Sequence, residues 1–207
     1  MPQDPNKTLI YHITNVANLP TIVGDGGLYS DAAMTKRKPN VVIGYDHIKL
    51  RRLQNIPVPC CARRYVGEFV PFYFGPRSPM LYIVNKGGTG HPPGCQKDIV
   101  HLVSTVAAGI ATGKAWAVSS GNAGAFHTTF AASLEAFDKL DWEAIRATQW
   151  QGKQHQKMAE FLLADFFPWS SLQGIGCQNS AVAAKVNAII AENEHQPTVE
   201  VKPGWYY

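Results

Sequence analysis

Around Glu160 the chain reads HQKMAEFLLADFFPW, an apolar run with a carboxylate set inside it, directly after a basic, Gln-rich stretch. Alternation through this run predicts a strand with Met158, Glu160, Leu162 and Ala164 on one face, so the acid points the same way as core residues. A carboxylate in that position is costly to bury without a partner or a task. Taken alone it is either the floor of a pocket or an edge-strand residue that reaches water or an arginine.

What surrounds the run is set by length and punctuation. A chain of 207 residues with 45% hydrophobic content and no low-complexity segment predicts one α+β domain over residues 1–207, with a central mixed β-sheet core and flanking helices. The N-terminus MPQDPNK lacks an apolar signal region, and no apolar run approaches the length of a membrane span. A soluble, intracellular and so cytoplasmic protein is expected. Four cysteines, adjacent at Cys60 and Cys61 and isolated at Cys95 and Cys177, give neither a metal spacing nor a disulfide framework and read as reduced thiols. His91 and Cys95 stand four apart in a Pro/Gly loop with no second pair in range, so no metal site is expected.

The net charge of +4 is modest but unevenly spread. Lys36, Arg37 and Lys38, then Lys49, Arg51 and Arg52, then Arg63 and Arg64 fall in the first third. Such clusters suit a polyanion or a phosphate-bearing cofactor, and equally an ordinary solvated face.

Period and punctuation give the element order. Leu9 to Ile13 predicts a first strand, and Asn18 is placed to cap a short helix with Pro20 in its first turn, ended by Gly24, Gly26 and Gly27. Val70 to Phe74 predicts a strand, and Ser78-Pro79 the start of a helix through PMLYIV. Lys86 to Gly94 reads as a surface loop. A strand at 99–103, a helix at 105–112 capped by Ser104 or Thr105 and closed by Gly113, and a strand at 115–119 follow. Helices are then expected at 130–137 and 142–147, a loop at 149–157, the Glu160 strand at 158–166, a helix at 180–191 and a strand at 198–201.

Those elements bring together His12 on the first strand, Asn18, the Arg51-Arg52 pair, the aromatic segment PFYFGPRSPM and Glu160. No dinucleotide-binding glycine fingerprint, no P-loop lysine and no nucleophile elbow is present. His47, His101 and His127 are scattered and read as ordinary core or surface histidines.

An early His, a central aromatic strand and a late Glu follow the order of ADP-ribosyltransferases. The blocks YHITNVANLPTIVGDGGL, IKLRRL, VPFYFGPRSPMLY, IVHLVSTV and MAEFLL, spread over residues 9 to about 166, resemble the DarT family, the toxins of DarT–DarG toxin–antitoxin systems that ADP-ribosylate DNA. The resemblance implies NAD as co-substrate and no metal, single-stranded DNA as acceptor with thymine as the preferred base and guanine open, and a separately encoded macrodomain antitoxin (DarG-like) as partner. Two alternatives stay open beside it, an NAD-using transferase of similar fold acting on RNA ends or protein and a non-enzymatic nucleic-acid binding module; a carboxylate in a polyanion site repels phosphate, which argues against the second. It assigns Glu160 as the catalytic glutamate and Arg51 as the arginine that contacts NAD and is needed for transfer, a role Arg52 could exchange. His12 is implied to bond the adenosine-side ribose, with Thr14 and Asn18 as further cofactor contacts. The strand Phe72 to Phe74, including Tyr73 and Phe74, is expected with Arg77, Ser78 and Met80 to wall the nicotinamide side.

The chemistry gives these residue types a reason. Breaking the nicotinamide–ribose bond builds positive charge at the anomeric carbon, which a nearby carboxylate stabilises. A thymine ring nitrogen must also lose its proton, to a group within hydrogen-bond reach. The loop QWQGKQHQK offers Trp150 with Lys153 and His155 for base stacking and phosphate contact with a single strand, or is a polar surface loop with Trp150 folded on the core.

Overall fold

The computed structural model describes residues 4–207 other than Lys36, Lys38 and Asn40. The first basic cluster, through Lys36 and Lys38, therefore lies partly outside the described residues. In chain order the elements are β1 (Leu9–Asn15), α1 (Leu19–Gly24), β2 (Gly27–Tyr29), α2 (Asp31–Met34), α3 (Asp46–Gln54), β3 (Pro57–Val58), β4 (Arg64–Tyr65) and β5 (Phe69–Tyr73). They continue through α4 (Pro79–Asn85), β6 (Ile99–Thr105), α5 (Val106–Ala111), β7 (Trp116–Asn122), β8 (Phe130–Ala131), α6 (Trp142–Arg146) and α7 (Gln154–Lys157). The chain closes with β9 (Ala159–Ala164), β10 (Phe166–Pro168), β11 (Gly174–Cys177), α8 (Ser180–Ile190) and β12 (Thr198–Val201).

One eight-stranded sheet runs in the order β12-β11-β6-β1-β5-β9-β7-β8. Only β11 and β12 pair in parallel; the other neighbours are antiparallel. The sheet is thus mixed, as expected, and its centre is built from strands far apart in sequence. The three that carry His12, Tyr73 and Glu160 (β1, β5 and β9) lie side by side.

Alternation along β9 divides the interior. Ala159, Phe161 and Leu163 face a core that includes Phe72, Phe167, Leu19 and the Val182, Val186, Ile190 stripe of α8. Leu162 and Ala164 face a smaller cluster with Ile56, Val58, Val66 and Phe69. Burying a side chain such as Phe161 in this way contributes about 2–3 kcal/mol. Helix α8 forms because its apolar residues recur every three to four positions and Asn179 caps it, its side chain accepting from the Val182 amide at 3.0 Å. The Ser78 and Thr105 caps also form, on Leu81 and Ala108.

Several expectations are corrected. Asn18 precedes α1 but makes no side-chain cap; its amide is committed elsewhere, and Asn15 caps the preceding turn instead. The expected helix at 130–137 is strand β8 followed by a 3-10 turn over Leu134–Lys139; Phe130 and Ala131 pair with Ser119 and Val118, and that ladder overrides helical period. The last four residues of the expected loop at 149–157 are helical, so Met158 caps α7 rather than opening the strand. Asp165, at φ 65°, divides the expected 158–166 strand into β9 and β10. The Trp205-Tyr206-Tyr207 tail packs on the domain: the Tyr206 hydroxyl lies against the carbonyls of Ile99 (2.8 Å) and Gly176 (3.1 Å).

Candidate active site

Glu160 sits on the second residue of β9, across from Tyr73 of β5, and is 1% exposed. Its backbone is fixed first: the Glu160 amide donates to Ser119 Oγ at 2.8 Å, and that hydroxyl donates to the Gly121 carbonyl at 2.7 Å. The β7–β9 register shifts between Val118 and Asn122, a bulge-like break of the kind that re-aims backbone near active sites. It brings the Ala123 amide to Glu160 Oε1 at 3.2 Å.

The carboxylate is then paired. Arg52 approaches from α3 and donates Nη1 to Oε1 at 3.1 Å and Nη2 to Oε2 at 2.8 Å, a bidentate fork with the arginine side chain only 12% exposed. Burial works against the Arg52 charge, but Glu160 more than offsets this and holds its pKa above the ordinary arginine value. Removing one partner of such a pair leaves an uncompensated buried charge, at a cost of about 3–5 kcal/mol. Burial, with Glu160 adding to it, also pushes the Tyr73 phenol up, so it stays protonated.

Arg51, the arginine assigned from the resemblance, is exposed. The helix decides between the two. Lys49, Arg52 and Leu53 share a face at three- and four-residue spacing, and both Lys49 and Leu53 line the cavity beside the sheet. Arg51 is one residue out of phase. No element had been expected at 46–54; a period count on DHIKLRRLQ would have separated the two arginines once a helix was assumed.

The cavity, about 390 Å³, is lined by His12, Thr14, Asn18, Lys49, Tyr73 and Met80 among others, a size typical of ligand pockets. His12 Nδ1 lies 2.8 Å from the Pro71 carbonyl. A carbonyl can only accept, so Nδ1 carries the proton and Nε2 is left as an acceptor. Burial lowers the His12 pKa, partly opposed by the Pro71 carbonyl, which keeps the ring neutral at pH 7. The β1–β5 ladder registers only at Tyr11 and Tyr73, and Pro71, having no N–H of its own, contributes this carbonyl instead.

Asn18 is buried and shapes the cavity rather than capping a helix. Its Oδ1 accepts from the Val41 amide at 2.8 Å, and its Nδ2 donates to the Val41 carbonyl (2.8 Å) and to Thr14 Oγ1 (3.1 Å). The Val41–Gly44 rim is held to β1 in this way. Thr14, Tyr73 and Met80 line the cavity; Phe74 does not. Its ring is buried between Phe137 (5.9 Å) and Trp142 (5.4 Å), because its neighbour Tyr73 takes the opposite face. Phe72 is wholly buried, Ser78 serves as a cap, and Arg77 lines a different cavity.

The acceptor-side residues are dispersed. Trp150 packs edge-on against Tyr82 at 5.5 Å. Lys153 pairs with Glu143 at 2.7 Å, both exposed. His155 lies against His127, ring centroids 4.1 Å apart, and so close to Gly121 that a Cβ there would clash with its ring. Beside this pair stands Phe126, 99% exposed. Ser119, the Ala123 amide, Gly121 and Phe126 were not singled out from sequence; only the strand break at 118–122 ties them to Glu160.

Comparison with known proteins places the chain. The family model described as "ssDNA thymidine ADP-ribosyltransferase, DarT" matches residues 11–207. A DNA ADP-ribosyl transferase of Thermus aquaticus is 38% identical over 215 residues, covering 100% of this chain and 94% of the relative. Thermus sp. 2.9 DarT in complex with ADP-ribosylated ssDNA superposes with a TM-score of 0.92 at 34% identity, covering 100% of both chains. Its complex with NAD+ gives 0.88 at 32%, again over 100% of both chains. With the family model matched over nearly the whole chain and a full-length relative at 38% identity, the chain is a member of the DarT family of ssDNA thymidine ADP-ribosyltransferases.

Proposed function

We propose that Glu160 and Arg52 form the centre that transfers ADP-ribose from NAD to a thymine of single-stranded DNA, with NAD held in the cavity beside His12. The observation that carries this reading is the bidentate Arg52–Glu160 pair, 1% exposed at the carboxylate, adjoining that cavity through Tyr73 and Leu53.

The residues fit NAD by chemistry. His12 Nε2 accepts from a ribose hydroxyl, Lys49 offers a cation to the pyrophosphate, and Met80 and the face of Tyr73 give apolar surface for a ring. The Glu160 carboxylate, held by two guanidinium donors and one backbone amide, offsets positive charge building at the anomeric carbon. Its Oε2 accepts a single donor and keeps lone-pair capacity for substrate.

Transfer forms the bond from the thymine ring nitrogen to the anomeric carbon and breaks the bond to nicotinamide. The thymine proton goes to Glu160, since Arg52, with its pKa raised, has no lone pair to accept it. Arg52 is the positioning partner throughout. A base in a duplex would have to leave its stack first, which favours a single strand.

Strands from Leu9 to Val201 join one sheet, which supports a single domain over 1–207. The toxin resemblance supports a macrodomain hydrolase as the neutralising partner. Among the described residues no helix is long and apolar enough to cross a membrane, in keeping with a cytoplasmic setting. Nicotinamide release with NAD and a thymidine-containing single strand, against the same strand in duplex form, as RNA, and with its thymines replaced, tests the reading. Release is expected with the first alone; equal release with RNA would move the acceptor to another class.

A further inference from the structure

Away from Glu160 a second cavity of about 360 Å³ opens between the start of β1, the segment after β5 and helix α6. Its wall carries four cations, Lys7, Arg77, Arg146 and Lys157, and no Asp or Glu. Lys157 is buried, and its Nζ donates to the carbonyls of Ile145 (3.0 Å) and Ala147 (2.7 Å), which leaves one N–H uncommitted. Arg77 Nε is buried and has no hydrogen-bond partner among the described residues. Burial lowers the Lys157 pKa and Arg77 lowers it further. Lys7 meets Asp4 at 3.9 Å, whereas Arg77 and Lys157 repel one another with no Asp or Glu in the wall between them, and an anion there removes that penalty.

The cavity also continues an aromatic edge. The Arg77 guanidinium lies over the Tyr207 ring at 4.5 Å, Tyr207 meets Tyr82 at 5.1 Å, and Tyr82 meets Trp150 at 5.5 Å. Bases stacking on exposed aromatics next to backbone phosphates in a basic groove is how single strands are held. Lys157 stands three residues before Glu160 in sequence.

We propose that this second cavity is a phosphate seat: it takes one backbone phosphate of the acceptor strand and anchors that strand beside the Arg77–Tyr207–Tyr82–Trp150 edge, outside the NAD cavity. The proposal rests on the reading of this chain as a transferase acting on single-stranded DNA. Its ligand chemistry is a phosphodiester, and free phosphate is the competing source.

The test is oligonucleotide binding by fluorescence anisotropy over a series of KCl concentrations, without NAD, so that it does not depend on turnover. Arg146 is exposed, which lets Arg146→Gln fold; Arg146→Lys and the double variant Arg77→Gln/Arg146→Gln complete the set. Each lost phosphate contact on a single strand flattens the log Kd against log salt slope by about 0.7. Arg146→Gln is expected to weaken binding about three- to tenfold at low salt, the double variant further, and Arg146→Lys little. One phosphate replaced by methylphosphonate, at a single position along the strand, should weaken wild-type binding and leave the double variant unaffected.

Unchanged affinity and slope in both Gln variants would overturn the proposal. So would inorganic phosphate bound by the wild type and lost in the double variant while oligonucleotide affinity stays constant, a result that makes the cavity a free-anion site. Normal binding with no nicotinamide release by the wild type would count against the proposed transfer centre and leave the phosphate seat standing.

Discussion

The two halves of the site are built on different principles. His12, Tyr73 and Glu160 ride on three adjacent strands in the middle of the sheet, and Glu160 has four fixed contacts, through its backbone amide, Ala123 and two arginine nitrogens. The side proposed to take the acceptor is carried by the β7–β8 loop, the segment before α7 and α7 itself. There Phe126 is 99% exposed, Lys153 pairs with the exposed Glu143, and His155 rests on the exposed His127. Ladder-held groups give the geometry that bond breaking needs. Loop-held aromatic and basic groups bind through stacking and charge, which tolerate adjustment. On the proposed function, the reaction centre is thus preorganised and the acceptor surface adaptable.

That contrast breaks most directly at Glu160. Glu160→Gln keeps the shape but leaves the buried Arg52 charge uncompensated, so transfer should fall at least about 100-fold and stability by about 3–5 kcal/mol, read by nicotinamide release and urea unfolding. Full stability in this variant would mean that the pair is not buried as described. Gly121→Ala joins the halves, because its Cβ enters the His155 ring; overpacking should cost about 1–3 kcal/mol and lower transfer through the Ser119–Gly121 support of Glu160. If thermal unfolding and transfer are both unaltered, the close approach of His155 is wrong.

The acceptor side should respond in the opposite way. Phe126→Ala is expected to leave the unfolding midpoint unchanged while weakening oligonucleotide binding by roughly 1–3 kcal/mol, the worth of one stacked base. A shifted midpoint with intact binding would make Phe126 structural. A further effect is expected in pH dependence. His101, buried between Tyr206 and the Pro76 carbonyl, has its pKa lowered to about 4 by burial. The unfolded chain binds the proton more readily, so this stabilising contribution is complete above about 6.5 and is lost as pH falls toward 4. His101→Gln should flatten that part of the stability profile, and an equally steep profile would assign the slope to other groups.

Legibility in the sequence divides along the same line. The first strand, the Ser78 cap, α6, α8, β12 and the face on which Glu160 lies could be read because period, caps and turn residues agree with the tertiary outcome. Helix α3 could not, since Arg51, Arg52 and Lys49 dilute its apolar stripe, and without the helix nothing ranks Arg52 over Arg51. Asn18 and Phe74 were misplaced for a shared reason: a side chain's partner, Val41 for one and Trp142 for the other, is fixed by chain far along the sequence. Strand β8 was read as helix because a two-residue ladder leaves no periodic trace. The Ala123 amide and Gly121 act through backbone position, which residue identity does not encode.

The central claim is that Arg52, and not Arg51, completes the Glu160 centre. Wild type, Arg51→Ala, Arg52→Ala and Glu160→Gln would each be incubated with NAD and a thymidine-containing single-stranded oligonucleotide, and the product read by mass spectrometry for the ADP-ribose increment. The account predicts modification by wild type and by Arg51→Ala to within about threefold, and a loss of at least about 100-fold in the other two. An inactive Arg51→Ala beside an active Arg52→Ala would contradict it.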